Sequence, residues 1–132
     1  MRLPTALIVL TALAACAPAS DDGAAPTASA SLQRGEVLSF ACQACHSLAA
    51  GGEHQVGPNL NGVFGRVAGS AEGFSYSDVL RAADFVWTAA ELDAWLRDPA
   101  GFLPGTTMAF TGYQVAADRA ALIEFLQTAT QP

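Results

Sequence analysis

The sequence contains no lysine. Its six basic residues are all arginines, they face twelve acidic residues, and the formal net charge is −6. Proteins that bind nucleic-acid phosphates need clustered positive charge, so this balance argues against a nucleic-acid partner. Cysteine, histidine and methionine are also scarce, with three, two and two copies in 132 residues. A chain of this length is expected to form one domain.

Residues 42–46 read CQACH, and this C-x-x-C-H pattern is the attachment signature of c-type haem. Residues three and four apart share one face of a helix. Both thiols can therefore bond neighbouring vinyl groups of one porphyrin edge, while His46 points a ring nitrogen at the iron. The alternative interpretations are a redox-active cysteine pair and half of a zinc site. A zinc site needs about four ligands, and only His54 and Cys16 remain to supply them.

The first 15 residues (1–15) are typical of a bacterial signal peptide. A positively charged start is followed by an apolar run over residues 6–15, which is too short to span a bilayer. The run ends in LAAC, which resembles the lipobox of bacterial lipoproteins, so we expect Cys16 to be lipidated. The alternative is cleavage at a neighbouring small residue, with Cys16 incidental. Residues 16–31 are expected to be the lipidated cysteine and a flexible linker, because residues 17–30 contain no large apolar side chain.

Residues 32–132 are expected to form the folded domain, and helix signals recur along them. Ser31 can cap a first helix that runs from about Leu32 to Cys45. Within this helix, Gly35 has no side chain and would allow close crossing by another helix. A last helix beginning near Asp118 is expected to pack across the first one near Gly35.

Two more helices are expected between these. A short helix capped by Ser77 is predicted over residues 78–83. A capping box at residues 88–91 starts another helix, which should end before Pro99. Residues 99–115 are predicted to be largely irregular, and a long irregular loop in a small domain is usually functional.

Met108 lies in this loop and is the only methionine besides the initiator. Its thioether is a soft iron ligand, and the alternative is an ordinary packing role. A ligating histidine needs an acceptor for its other ring N–H. The carbonyl of Pro58 is the candidate acceptor for His46, unless Pro58 is only a turn residue. His54 is either a second ligand or a hydrogen-bonded structural histidine of its loop.

Five further side chains are candidates for contact with the haem. Arg66 and Tyr76 can bond its anionic propionates, which are costly to bury unpaired, and the alternatives are a solvated arginine and a core tyrosine. Trp87 offers an indole N–H to a propionate or is simply a core residue. Trp95 and Leu96 share one helix face, which either lines the flat face of the haem or is plain core.

In their order along the chain, these motifs resemble those of the class I cytochromes c, the mitochondrial type and its bacterial relatives. The matching stretches are CQACH, GGEHQVGPNLNGVFGR, GFSY, Trp87, LDAWLRDPAGFLPGTTMAF followed by TG, and ALIEFL, and they cover about residues 34–128. The resemblance implies an all-α fold of three to five helices wrapped around one haem. It also implies that the haem is held covalently by Cys42 and Cys45.

The resemblance assigns roles to other single residues as well. It implies His46 and Met108 as the axial ligands of the iron, with Pro58 accepting the N–H of His46. Three further residues match family positions around the propionates: Arg66, Tyr76 and Trp87.

The sequence departs from the family at positions that bear on the haem and on docking. Leu80 stands where the mitochondrial proteins have an asparagine in a water network near the haem. Trp95 replaces a tyrosine close to the methionine ligand. The ring of lysines with which the family docks acidic partners is absent. Uncharged residues stand at such positions: Ala41, Ala100, Gly101 and Thr107.

We therefore expect a monohaem electron carrier rather than an enzyme, and we expect it to be a monomer. The resemblance implies a cytochrome bc complex as electron donor and a terminal oxidase or photosynthetic reaction centre as acceptor. A lipid on Cys16 would hold the protein on a membrane of the bacterial envelope, with the domain facing the periplasm. The alternatives are a fixed electron-input subunit of a larger oxidase or dehydrogenase, and a haem peroxidase or gas-binding protein with a labile methionine ligand.

Overall fold

Five helices carry the regular structure of residues 27–132, which are the residues that the computed structural model describes. The predicted signal peptide, Cys16 and most of the predicted linker lie outside the described residues. The helices are α1 (Ala28–Gln43), α2 (Asp78–Arg81), α3 (Ala89–Arg97), α4 (Pro99–Phe102) and α5 (Ala116–Ala129). Within the described range, the β pairing is limited to one isolated bridge between Val67 and Val86. The predicted all-α fold of three to five helices is confirmed.

The longest of these helices are α1 and α5, with 16 and 14 residues. A transmembrane helix needs about 20 consecutive apolar residues. From residue 27 onward, no helix combines the length and the apolar character that crossing a bilayer requires.

Helix α1 begins one turn earlier than expected, so the predicted start at Leu32 is wrong. Thr27 occupies the N-cap, and its hydroxyl accepts the N–H of Ala30 (3.3 Å). Ser31, predicted as the cap, lies inside the helix and donates to the carboxylate of Glu124 on α5 (2.5 Å). The residues ASAS before Leu32 lack large apolar side chains, as a linker would. They are nevertheless helical, because alanine has the highest helix propensity.

The predicted haem-attachment motif lies at the C-terminal end of α1. The helix ends at Gln43, two residues earlier than predicted, and a tight turn follows. The N–H groups of Cys45 and His46 both donate to the carbonyl of Cys42, at 3.0 and 2.9 Å. This turn brings the two cysteines and the histidine close together at the end of a helix that the core holds in place.

Helices α1 and α5 cross at Gly35, as predicted. A Cβ atom at position 35 would lie 2.1 Å from the backbone oxygen of Ala121 and 2.7 Å from the Cβ of Phe125. The approach is therefore possible only for a residue without a side chain. Beside the crossing, Leu38 of α1 and Leu122 of α5 are buried in the core.

Helix α2 is shorter than predicted and is capped differently. It covers one turn, Asp78–Arg81, instead of residues 78–83. Ser77 occupies the N-cap position, but its hydroxyl makes no capping hydrogen bond, so its predicted capping role is wrong. The guanidinium of Arg81 closes the turn instead by donating to the carbonyl of Tyr76 and the carboxylate of Asp78.

Helix α3 begins and ends as predicted. The hydroxyl of Thr88 accepts two N–H groups of the first turn, and the helix stops at Arg97. The prediction of irregular structure after this point is wrong for one turn, since α4 forms there. The carboxylate of Asp98 accepts the N–H of Gly101 (3.0 Å), and Pro99 stands at the first helical position, where its missing N–H costs nothing.

We expect Gly35→Ala to destabilise the protein by about 2 kcal/mol, because the added methyl group has no room against the carbonyl of Ala121. At an exposed helical position the same change would stabilise the protein by about 1 kcal/mol. The sign of the change in the free energy of unfolding therefore shows whether position 35 is crowded or open. Guanidinium unfolding followed by circular dichroism measures the free energy of unfolding. Gln33→Ala, at an exposed neighbouring position, is the control and should change it by less than about 0.5 kcal/mol. A stabilised Gly35→Ala protein would contradict the close crossing.

Candidate functional site

One cavity collects the predicted site residues. It has a volume of about 220 Å³ and is bordered mainly by apolar side chains from α1, α3, α5 and the segments between them. Protein interiors contain few voids larger than a water molecule, so a cavity of this size in a small domain marks a binding site. All ten predicted site residues that lie between residues 27 and 132 border it: Cys42, Cys45, His46, Pro58, Arg66, Tyr76, Trp87, Trp95, Leu96 and Met108. Cys16 lies outside the described residues.

The ring of His46 is held in one orientation. Its Nδ1–H donates to the carbonyl of Pro58 (2.7 Å), a group that only accepts, so Nε2 carries the lone pair. Gly57 lies directly against the ring, since a Cβ atom there would be 2.3 Å from Cε1 of His46. Burial lowers the pKa of His46, with the Pro58 hydrogen bond opposing the shift, and the neutral imidazole is favoured. A neutral imidazole with one fixed N–H is the form that binds a metal.

Cys42 and Cys45 lie on the cavity wall as half-buried free thiols. Burial raises the pKa of the Cys42 thiol to about 11, so it is protonated at neutral pH. A redox-active cysteine pair needs a thiol with a lowered pKa, which argues against that interpretation. In the described part of the chain, no group of three or more His, Cys, Asp or Glu side chains is placed to hold a metal.

His54 is engaged away from the cavity. Its Nδ1 accepts the N–H of Asn59 (2.9 Å), and its Nε2–H donates to the carbonyl of Glu72 (2.8 Å). Both ring nitrogens therefore serve structural hydrogen bonds that join its loop to residue 72. Of the two interpretations of His54, the structure favours the structural histidine.

Met108 reaches the cavity from the segment between α4 and α5. The turn before it depends on Gly105, because its φ of +95° is a backbone conformation that glycine adopts at little cost. A hydrogen bond from the N–H of Thr106 to the carbonyl of Leu103 closes this turn (3.1 Å). The Met108 side chain is half-buried against the core, and it is the only thioether among residues 27–132.

Arg119 anchors the far end of the segment that carries Met108. Its side chain is buried, and Nη1 donates to the two backbone carbonyls of residues 113–114, at 2.9 and 3.0 Å. Nε and Nη2 donate to the two carboxylate oxygens of Asp93 on α3, at 2.8 and 3.3 Å. One guanidinium thereby joins α5, α3 and the end of the segment, so the position of Met108 depends on it indirectly.

Polar side chains also border the cavity, among them Arg66, Tyr76 and Ser77. The guanidinium of Arg66 already donates to the carbonyls of Asn59 and Asn61, at 3.1 Å each. Burial raises the pKa of the Tyr76 hydroxyl, and the positive charge of Arg66 opposes this shift. The hydroxyl of Ser77 is buried without a hydrogen-bond partner among the described residues. Such a group costs about 1–3 kcal/mol unless a bound group satisfies it.

An aromatic and aliphatic wall completes the cavity. Trp87 and Trp95 are buried and meet edge to face, with ring centroids 5.3 Å apart. Leu96 and Leu80, which are also buried, border the same space. Leu80 and Trp95 are two of the departures from the family pattern, and both lie on the cavity wall.

These residues fit a haem. A neutral imidazole nitrogen and a thioether are ligands that iron accepts, and two thiols are available for covalent attachment. The apolar wall suits the macrocycle, while the buried hydroxyl of Ser77 and the donors beside it suit the anionic propionates. Reasoning from the sequence missed Ser77, which was predicted only as a helix cap. The sequence feature that could have indicated a role for Ser77 at the cavity is its position in FSYS, directly after Tyr76.

Comparison with known proteins adds a separate line of evidence. The family model described as Cytochrome c matches residues 32–130. A cytochrome c from Stellaria longipes is 46% identical over 90 residues, which are 68% of this chain and 83% of that protein. A cytochrome c2 from Blastochloris viridis is 38% identical over 103 residues, 78% of this chain and 81% of that protein. A protein named cytochrome c-type cyt cy, from Rhodobacter capsulatus, is 43% identical over 93 residues, 70% of this chain and 46% of that protein.

We expect Arg119→Met to lower the free energy of unfolding by about 2 kcal/mol, because it leaves the backbone carbonyls of Tyr113 and Gln114 without their donor and breaks the ion pair with Asp93. The carboxylate of Asp93 limits the loss, since its side chain is 41% exposed and water can solvate it. Chemical denaturation measures the difference. Arg97→Met, which replaces an exposed arginine on α3, is the control and should stay within about 0.5 kcal/mol. Equal stability of the two variants would show that Arg119 does not anchor the segment.

Proposed function

Because this chain belongs to the cytochrome c family, we propose that it passes single electrons between membrane redox complexes of a bacterial envelope. Membership of the family makes it a monohaem electron carrier with one covalently bound haem c, and not an enzyme. The observation that best supports the proposal is the single cavity at which ten separately predicted residues meet.

Four side chains are assigned to hold the haem. Cys42 and Cys45 would form the two thioether links, and His46 and Met108 would ligate the iron. The carbonyl of Pro58 holds the His46 ring through Nδ1 and leaves Nε2 for the metal. Once bound, the haem supplies the ferric/ferrous couple, and histidine/methionine ligation raises its reduction potential.

The cavity wall suits electron storage rather than substrate chemistry. If His46 and Met108 both ligate the iron, no coordination site would be left for a substrate. The buried side chains of Trp87, Trp95 and Leu96 border the cavity and would exclude water from the macrocycle. Arg66 and Ser77, with Tyr76 between them in the cavity wall, offer donors to the propionates.

A lipid on Cys16 is proposed to hold the protein on the membrane, with the haem domain on the periplasmic side. The support is the LAAC sequence that ends an apolar run of ten residues, in the part of the chain outside the described residues. A tether raises the effective concentration of the domain near membrane partners. A cytochrome bc complex as donor, and a terminal oxidase or photosynthetic reaction centre as acceptor, fit this position.

Mass analysis of the mature N-terminus tests the anchor. We expect a chain that begins at an acylated Cys16. Cys16→Ser should move the protein from the membrane to the soluble fraction and leave the haem attached, because Cys42 and Cys45 are unchanged. A mature chain without acyl groups at Cys16 would contradict the anchor and leave the haem assignment untouched.

We expect Met108→Ala to keep the haem covalently attached and to abolish the weak long-wavelength absorption band that arises from methionine bound to ferric iron. The reduction potential should fall, because thioether ligation favours the ferrous state. Thr107→Ala, a change at the exposed neighbouring residue, is the control and should keep the band. Survival of the band in Met108→Ala would exclude Met108 as the ligand. Absence of the band from the unmodified holoprotein at neutral pH would instead favour a peroxidase or gas-binding protein.

A further inference from the structure

Exposed apolar side chains border the haem cavity and continue from it along α1. Phe40 and Val37 lie on the outer side of α1 with 62% and 57% of their surface exposed. Ala41 borders the cavity, as does Val56, which is 83% exposed. Ala109, also exposed, borders it from the segment between α4 and α5. These five residues are called the apolar face.

The apolar face is continuous on α1. Val37, Phe40 and Ala41 are spaced three and four residues apart, which puts them on one side of the helix. Ala41 in turn shares the cavity border with Val56 and Ala109. Exposed helix positions usually carry polar side chains, so an exposed phenylalanine and valine beside a cofactor cavity need an explanation.

None of the five residues of the apolar face is charged. Among the described residues that border the cavity, Arg66 alone is charged, and it donates to backbone carbonyls. On α1, the exposed Glu36 is four residues before Phe40 and places one carboxylate beside the face, and Arg34 is engaged with Asp118 on α5 (2.9 Å). The face therefore offers neither the cations that an acidic partner would seek nor a set of anions for a basic one.

We propose that the apolar face is where the electron-transfer partner docks, and that the partner presents an uncharged apolar patch around its own redox entry point. The inference rests on the proposed electron-carrier function and specifies the chemistry of its partner. Aromatic residues are enriched, and charged residues depleted, at the cores of protein interfaces, as they are here. A partner seated on Phe40 and Ala41 stands directly at the opening of the haem cavity, so docking and electron entry coincide.

The size of the apolar face matches a brief encounter. Five side chains, two of them alanines, expose on the order of a few hundred Å², whereas stable complexes bury about 1,200–2,000 Å² in total. Electron-transfer encounters lie below that range. The net charge of −6 also opposes the approach of a second copy. A transient partner of a different kind is therefore the occupant that these observations favour.

The test follows oxidation of the reduced holoprotein by membranes of the source organism in air. Phe40→Ser and Val37→Ser should raise KM about three- to tenfold and leave kcat and the reduction potential unchanged, because only docking is weakened. KM of the unmodified protein should change less than about twofold between about 20 and 200 mM salt, as expected for uncharged docking. Val67→Ser, which changes another exposed valine (45%) that lies outside α1 and outside the apolar face, is the control and should behave as the unmodified protein.

The possible outcomes separate this inference from the function on which it rests. Equal KM values for Phe40→Ser and the unmodified protein, or a KM that rises steeply with salt, would overturn the docking face and leave the electron carrier intact. Failure of the membranes to oxidise any of the proteins would overturn the proposed function, and the docking face with it. An effect of Phe40→Ser that vanishes with detergent-solubilised membranes would assign the face to lipid. A dimer that sediments in the unmodified holoprotein and is lost in Phe40→Ser would assign it to a second copy.

Discussion

The fold depends on enclosing one flat apolar cofactor with a short chain. Two of its five helices, α2 and α4, have only four residues each, and a helix of that length has no stability of its own. Packing around the cavity must therefore hold them. The two long helices supply the remaining framework by crossing at Gly35. Because Gly35 has no side chain, its backbone can approach Ala121 and Phe125 of α5 closely. The haem domain is thus a pair of crossed helices with segments folded over a shared cavity.

The two sides of the cavity are held by different means. His46 follows α1 within three residues, and its ring is fixed by a single short hydrogen bond to Pro58 and by contact with Gly57. Met108 stands in a segment without helical structure, and that segment is held at its end through Arg119. The imidazole side is therefore built into the framework, whereas the thioether side depends on a remote anchor.

Sequence reasoning succeeded where chemistry depends on local spacing. The crossing at Gly35, the start of α3 at Thr88 and the contact between His46 and Pro58 all follow from residue type and position. It failed where a residue's surroundings decide its role. Ser77 has the identity of a helix cap, but its buried hydroxyl makes no hydrogen bond among the described residues although the residue borders the cavity, and the partners of a hydroxyl depend on packing that spacing does not reveal. The small residues before Leu32 are compatible with either a linker or a helix. The hydrogen bond from Ser31 to Glu124 on α5 favours the helix.

The central claim is that residues 42–46 carry one covalently attached haem. Because the chain has no lysine, trypsin cuts only after arginine, and one peptide over residues 35–66 contains both Cys42 and Cys45. Mass spectrometry of that peptide, from protein made in a host with haem-attachment machinery and then denatured and extracted with acidic acetone, is the most direct test. We expect a peptide that has gained the mass of one haem. A peptide with two free thiols would contradict it.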